Sequence, residues 1–116
     1  MSTQQSIVVH ISGQDSRDWE MAVRDLVNDD SVETPPESMQ VVVNGHAVCC
    51  LFATSPENER VTQMAEERVT IAACGNSLER FGYSSADLAS GVTTIPSGVA
   101  EVARAQQRGD TYLKLP

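Results

Sequence analysis

Arg68-Val69-Thr70-Ile71-Ala72-Ala73-Cys74-Gly75-Asn76-Ser77-Leu78 is the stretch that decides the fold. Val69 to Ala73 is β-branched and apolar, the composition of a buried strand. Cys74-Gly75 ends that run and leads into a helix near Asn76 to Phe81, with Gly82 as its stop. A strand passing through so short a turn into a helix is the first half of a parallel β-α-β unit.

The same alternation extends in both directions. Upstream, Met39-Gln40-Val41-Val42-Val43 predicts a second strand, its three successive valines suited to burial on both faces. Asn44-Gly45 turns the chain, and His46 to Ala53 reads as a buried apolar helix that carries Cys49 and Cys50. Ser55 as N-cap and Pro56 at the first helical position predict another helix. Its inner stripe is Val61, Met64 and Ala65, with Glu57, Glu59, Glu66 and Glu67 outside.

Nearer the N-terminus, Ser6 to Ser12 is a strand closed by Gly13. Trp19, Ala22, Val23, Leu26 and Val27 then recur at helical spacing. Asp15 or Ser16 would cap that helix and Asp18 would complement its dipole. Ser31 to Ser38, with Pro35-Pro36, is an exposed loop.

Downstream, Ser84 to Asp87 reads as a capped single turn and Gly91 to Ile95 as a fourth strand. Pro96-Ser97-Gly98 opens a last helix bearing Val99, Val102 and Ala103, closed by Gly109. Thr111 to Leu115 is a fifth strand. The class is therefore α/β with a mainly parallel sheet of about five strands in one domain, residues 1–116. Right-handed crossovers place helices on both faces.

Composition limits the function. The chain has 116 residues and a net charge of −8, and Lys114 is its only lysine. So acidic a surface repels phosphate backbones and argues against nucleic-acid partners. It suits ordinary solubility or solvation in high salt. No run of eighteen apolar residues exists, so no membrane partner is expected. Met1 to Gln5 lacks a basic region leading into an apolar core, so a cytoplasmic location is expected.

Three cysteines without a secretory signal argue against a disulfide framework. No CxxC pair occurs and His10 and His46 stand apart, so no metal is expected. P-loop, GxGxxG and GxSxG patterns are absent, and no cofactor is implied.

Chemistry then concentrates on Cys74. Parallel sheets gather reactive groups at the carboxyl ends of their strands, where Cys74 falls. Backbone N–H groups around Gly75 to Ser77 and the positive end of the following helix favour its thiolate. Asn76 and Ser77 offer hydrogen bonds to a charged adduct, and Gly75 allows close approach. The alternative is a small buried hydrophobe at a strand end. Cys49 and Cys50 read as buried packing residues, and His10 as a packed strand residue. His46 follows the second-strand turn and is a candidate proton-transfer group or a surface residue.

A family resemblance rests on Val43-Asn44-Gly45-His46-Ala47-Val48 and Ala73-Cys74-Gly75-Asn76-Ser77-Leu78 leading to Phe81-Gly82. It continues through Gly91-Val92, Ile95-Pro96-Ser97-Gly98-Val99-Ala100-Glu101 and Gln106 to Tyr112. From about Gln40 to Pro116 the chain resembles the small single-domain branch of the DsrE/DsrF-like sulfur-relay superfamily. The resemblance implies a three-layer α/β/α sandwich, homo-oligomers (trimers or hexamers), and Cys74 as a rim cysteine carrying sulfane sulfur as a persulfide. Sulfur-donor and sulfur-acceptor proteins would be its partners, so it need not be a freestanding enzyme. The competing readings are a non-catalytic small-ligand-binding or assembly module and a redox-sensing cysteine protein.

Overall fold

A computed structural model describes residues 6–13 and 19–115. Five strands form one sheet: β1 (Ile7–Ile11), β2 (Met39–Val43), β3 (Thr70–Cys74), β4 (Thr93–Ile95) and β5 (Thr111–Leu115). All are parallel, in the order β4-β3-β2-β1-β5. The helices are α1 (Trp19–Asn28), α2 (Asn58–Glu66), α3 (Gly75–Arg80) and α4 (Gly98–Gln107).

The strand order dictates the layering. From β1 to β4 the chain steps steadily toward one edge, so right-handed crossovers put every connection on one face. The step from β4 back past β3, β2 and β1 to β5 runs the other way and puts α4 on the opposite face. The core follows this asymmetry. Ile7, Val9, Ile11, Val41, Val43, Ile71 and Ala73 pack with Trp19, Val23, Leu51, Val61 and Met64 in the larger layer. Val8 and Val42 meet Val102 and Ala105 of α4 in a thin one, with Ile95 at its margin. The three-layer expectation holds, with one helix as the whole third layer among the described residues.

Several local expectations need correction. Ser55 does not cap α2, which starts at Asn58. The Ser55 hydroxyl binds the Glu57 carboxylate and accepts the Glu57 N–H at 3.2 Å, forming a turn ahead of the helix. His46 to Ala53 is not an α-helix; a 3-10 helix spans Gly45–Leu51. Its period near three turns Ala47, Val48 and Leu51 inward and leaves Cys49 exposed and Cys50 half-buried.

In α4 the buried stripe is Gly98, Val102 and Ala105, while Val99 is 63% exposed and Ala103 also faces out. A thin layer over two valines favours small residues that let the helix sit close. The capped turn at Ser84 is present, with Ser84 and Asp87 forming a reciprocal capping box. The proposed caps Asp15 and Ser16, and Asp18, lie outside the described residues.

Candidate functional site

Connections leave β1, β2 and β3 toward one face and leave β4 toward the other. The carboxyl ends of β3 and β4 are therefore the topological switch point, where diverging connections open a crevice. Cys74 is the last residue of β3 and pairs with Ile95, the last residue of β4. Side-chain alternation puts Cys74 on the α4 face with Val42 and Val8.

Two turns close around it. The Asn76 N–H donates to the Pro96 carbonyl at 3.2 Å, tying the start of α3 to the turn after β4. A β-carbon at Gly75 would stand 3.0 Å from the Ile95 carbonyl oxygen, so only glycine fits without displacing backbone. Ser97 caps α4 by accepting the Ala100 N–H at 3.2 Å. Gly98 then sits directly over the site. A β-carbon there would be 3.2 Å from both the Asn44 and Cys74 β-carbons and 3.3 Å from Val42 Cγ1. Its absence lets the N-terminus of α4 reach the sulfur.

The Cys74 thiol is pushed up by burial, the residue being only 4% exposed. Donors around the sulfur outweigh that effect: the Ser77 hydroxyl first, then the backbone N–H groups of Gly98, Ser77 and, least, Asn76, whose N–H is shared with the Pro96 carbonyl. The net result is a thiol below its ordinary pKa. The charged form is thus favoured inside the protein because donors have replaced water around it.

Ser77 is held for this task. Its Oγ accepts the Gly45 N–H at 2.7 Å, and its own proton is left to point toward the sulfur. Gly45 makes that bond from a left-handed conformation, φ +66°. Gly45→Ala should therefore cost about 1–2 kcal/mol in chemical denaturation through backbone strain, since its β-carbon would meet Ser12 only at an ordinary 3.5 Å.

Of the residues expected at the site, Cys74, Gly75, Asn76 and Ser77 are brought together. His46 is at the same rim but stacks on Phe81, with ring centroids 4.3 Å apart. It is not among the groups that set the thiol's ionisation. His10 is no ordinary packed residue. It is half-buried, with Nδ1 at 2.9 Å from the Tyr112 hydroxyl and Nε2 at 2.8 Å from Asn44 Oδ1. Sequence reasoning missed Gly98 and Asn44. Their signal was positional: each follows a strand by a few residues at the edge where Cys74 lies.

Among the described residues no cluster of three or more His, Cys, Asp or Glu side chains could hold a metal ion. No helix among them is long and apolar enough to cross a membrane.

No curated protein matches the chain. Among solved structures it is similar to the protein of unknown function MTH1491 from Methanobacterium thermoautotrophicum. That match has 27% identity and a TM-score of 0.86, over 97% of this chain and all of that one. The ychN protein from E. coli is 20% identical with a TM-score of 0.68, again over 97% of this chain and all of the other. The conserved protein of unknown function BT1422 from Bacteroides thetaiotaomicron is 18% identical with a TM-score of 0.66, over 93% and 94%. The last two likenesses show a shared fold. The model of the DsrE/DsrF-like family matches residues 12–115, well beyond the region carrying the sequence resemblance, and the chain belongs to that family.

Proposed function

We propose that this protein is a sulfur carrier that holds sulfane sulfur as a persulfide on Cys74. Family membership supports a sulfur-relay-related kind of protein. The observation that carries the finer reading is the ring of donors that keeps a nearly buried thiol below its ordinary pKa.

In the proposed reaction the Cys74 thiolate attacks the outer sulfur of a donor persulfide or polysulfide. The Cys74 S–S bond forms as the donor's S–S bond breaks, and the donor's inner sulfur leaves as a thiolate. An acceptor thiolate then attacks the outer sulfur, and Cys74 leaves as a thiolate again. The sequence is redox-neutral and needs no cofactor. Gly98, Ser77 and Asn76 stabilise Cys74 both as nucleophile and as leaving group. The outer sulfur extends about 2 Å beyond the cysteine sulfur.

Incubation with polysulfide followed by peptide mapping tests this. A gain of about 32 Da, one sulfur atom, is expected on the peptide holding Cys74. A gain confined to the peptide holding Cys49 and Cys50 would overturn the assignment.

The depth of Cys74 favours a second reading, a small-ligand-binding module in which the thiol is a fixed contact. Persulfide transfer to an added acceptor thiol separates the two, because a fixed contact would not turn over.

We also propose homo-oligomers, supported by exposed apolar side chains at Tyr112 and Leu113 on edge strand β5 and at Val99 on α4. Native mass spectrometry should show a trimer or hexamer. A lone 12.5 kDa species at micromolar concentration would refute this.

A further inference from the structure

Asn44 stands at the meeting point of the two devices that hold the Cys74 sulfur. Its backbone continues into Gly45, whose N–H fixes Ser77 Oγ at 2.7 Å. Its β-carbon lies under Gly98, the residue that opens α4 over the thiol. Asn44 is itself held at two points. Its N–H donates to the Ile11 carbonyl at 3.0 Å, and its Oδ1 faces His10 Nε2 at 2.8 Å.

The second contact fixes the chemistry of the imidazole. Oδ1 can only accept, so Nε2 carries a proton, and in neutral His10 the Tyr112 hydroxyl donates to Nδ1 at 2.9 Å. Tyr112 and His10 come from the neighbouring strands β5 and β1, and Asn44 follows β2. A row of polar side chains therefore crosses the α4 face toward the thiol, where deeper residues such as Val8 and Val42 are apolar. His10 and Asn44 are half-buried and Tyr112 is exposed, so the row is held by its hydrogen bonds rather than by packing alone.

We propose that His10 is a positioning residue for Cys74, acting through Asn44, the Asn44–Gly45 turn and Ser77. His10 holds the Asn44 side chain in one orientation. That orientation keeps the Gly45 N–H aimed at Ser77 Oγ, and the bond leaves the Ser77 proton aimed at the sulfur. A hydroxyl that accepts one hydrogen bond is also polarised into a better donor. His10 is not among the groups that donate to the sulfur and acts only through Asn44. The inference deepens the sulfur-carrier reading but concerns the thiolate itself.

Two near-isosteric replacements separate the ring nitrogens. Glutamine places its amide nitrogen near the position of Nε2, so His10→Gln can keep the bond to Asn44. Asparagine reaches only the position of Nδ1, so His10→Asn can keep Tyr112 and loses Asn44. The readout is the pH profile of iodoacetamide alkylation at Cys74, resolved by peptide mapping from Cys49 and Cys50.

Ser77→Ala sets the scale, with a rise of about one pH unit in the alkylation midpoint. His10→Asn is expected to raise it by about half a unit or more, and His10→Gln to leave it within a few tenths of wild type. Circular dichroism confirms that each variant is folded, and the contrast between the two conservative variants carries the test if a bulkier change unfolds the chain.

Equal midpoints for His10→Asn and wild type, with Ser77→Ala shifted, would overturn the proposal. Equal shifts in His10→Asn and His10→Gln would also overturn it, since general loosening and not the Asn44 bond would then be responsible. Alkylation requires no sulfur transfer, so failure of the carrier reading would leave these midpoints unchanged and show only in the persulfide assay.

Discussion

Cys74→Ser should lose the whole gain of about 32 Da that polysulfide confers on the wild-type protein at Cys74. Serine keeps the size and the hydrogen bonds of the site but has no sulfur to form the S–S bond. The same variant should change how stability depends on pH. In the wild type the donors of Ser77, Gly98 and Asn76 hold the folded thiol below its ordinary value, despite burial pushing it up.

The unfolded state therefore binds the proton more tightly across the window between the folded and ordinary pKa values. Stability rises with pH through that window, is fully present above the ordinary thiol value, and is lost as pH falls through the folded value. Urea midpoints measured from about pH 6 to 9.5 should show this upward slope in wild type and not in Cys74→Ser. A parallel slope in both proteins would show that another group titrates.

Gly98→Val should produce the second large effect. Even the first added carbon would stand 3.2 Å from Cys74 Cβ and from Asn44 Cβ, and the two γ-methyls have less room still. The helix must lift from the sheet, at a cost of about 1–3 kcal/mol for overpacking. Lifting α4 also withdraws the Gly98 N–H from the sulfur, so the alkylation midpoint of Cys74 should rise by about one unit. Denaturation and alkylation on one preparation check both halves. A destabilised protein with an unchanged midpoint would show that the Gly98 N–H is dispensable.

The sequence carried the sheet well because its strands are short runs rich in β-branched, aromatic and other apolar residues, set off by glycine, proline and polar turns. This holds whether the strand is buried like β2 or exposed like β5. Met39–Val43 and Thr111–Leu115 have the bounds their residues predict, and the third strand is displaced by one residue. Cys74 at a strand end followed by glycine is enough to place it at the carboxyl edge of the sheet. The helices were less legible. Bulky Val99 drew the expected stripe of α4 away from Gly98 and Ala105, because sequence reading weights size while a thin layer selects for closeness.

An apolar run taken at an α-helical period predicts a buried Cys49, and the 3-10 period turns it outward. Asn44, His10 and Tyr112 were illegible as a group. Their meeting depends on β1 lying between β2 and β5, a strand order that no local pattern specifies.

That order also has a kinetic consequence. β1 pairs with β5 from Ile7 against Thr111 to Ile11 against Leu115, joining strands roughly a hundred residues apart in sequence. Closing so long a loop is slow and contributes little until the contact forms. During synthesis β1 would wait with one flank of backbone N–H and C=O groups unpaired until β5 emerges. Its apolar residues Ile7, Val8, Val9 and Ile11 make that flank the segment most exposed to pairing with another nascent chain. Misassembly should therefore track delays in producing the last strand.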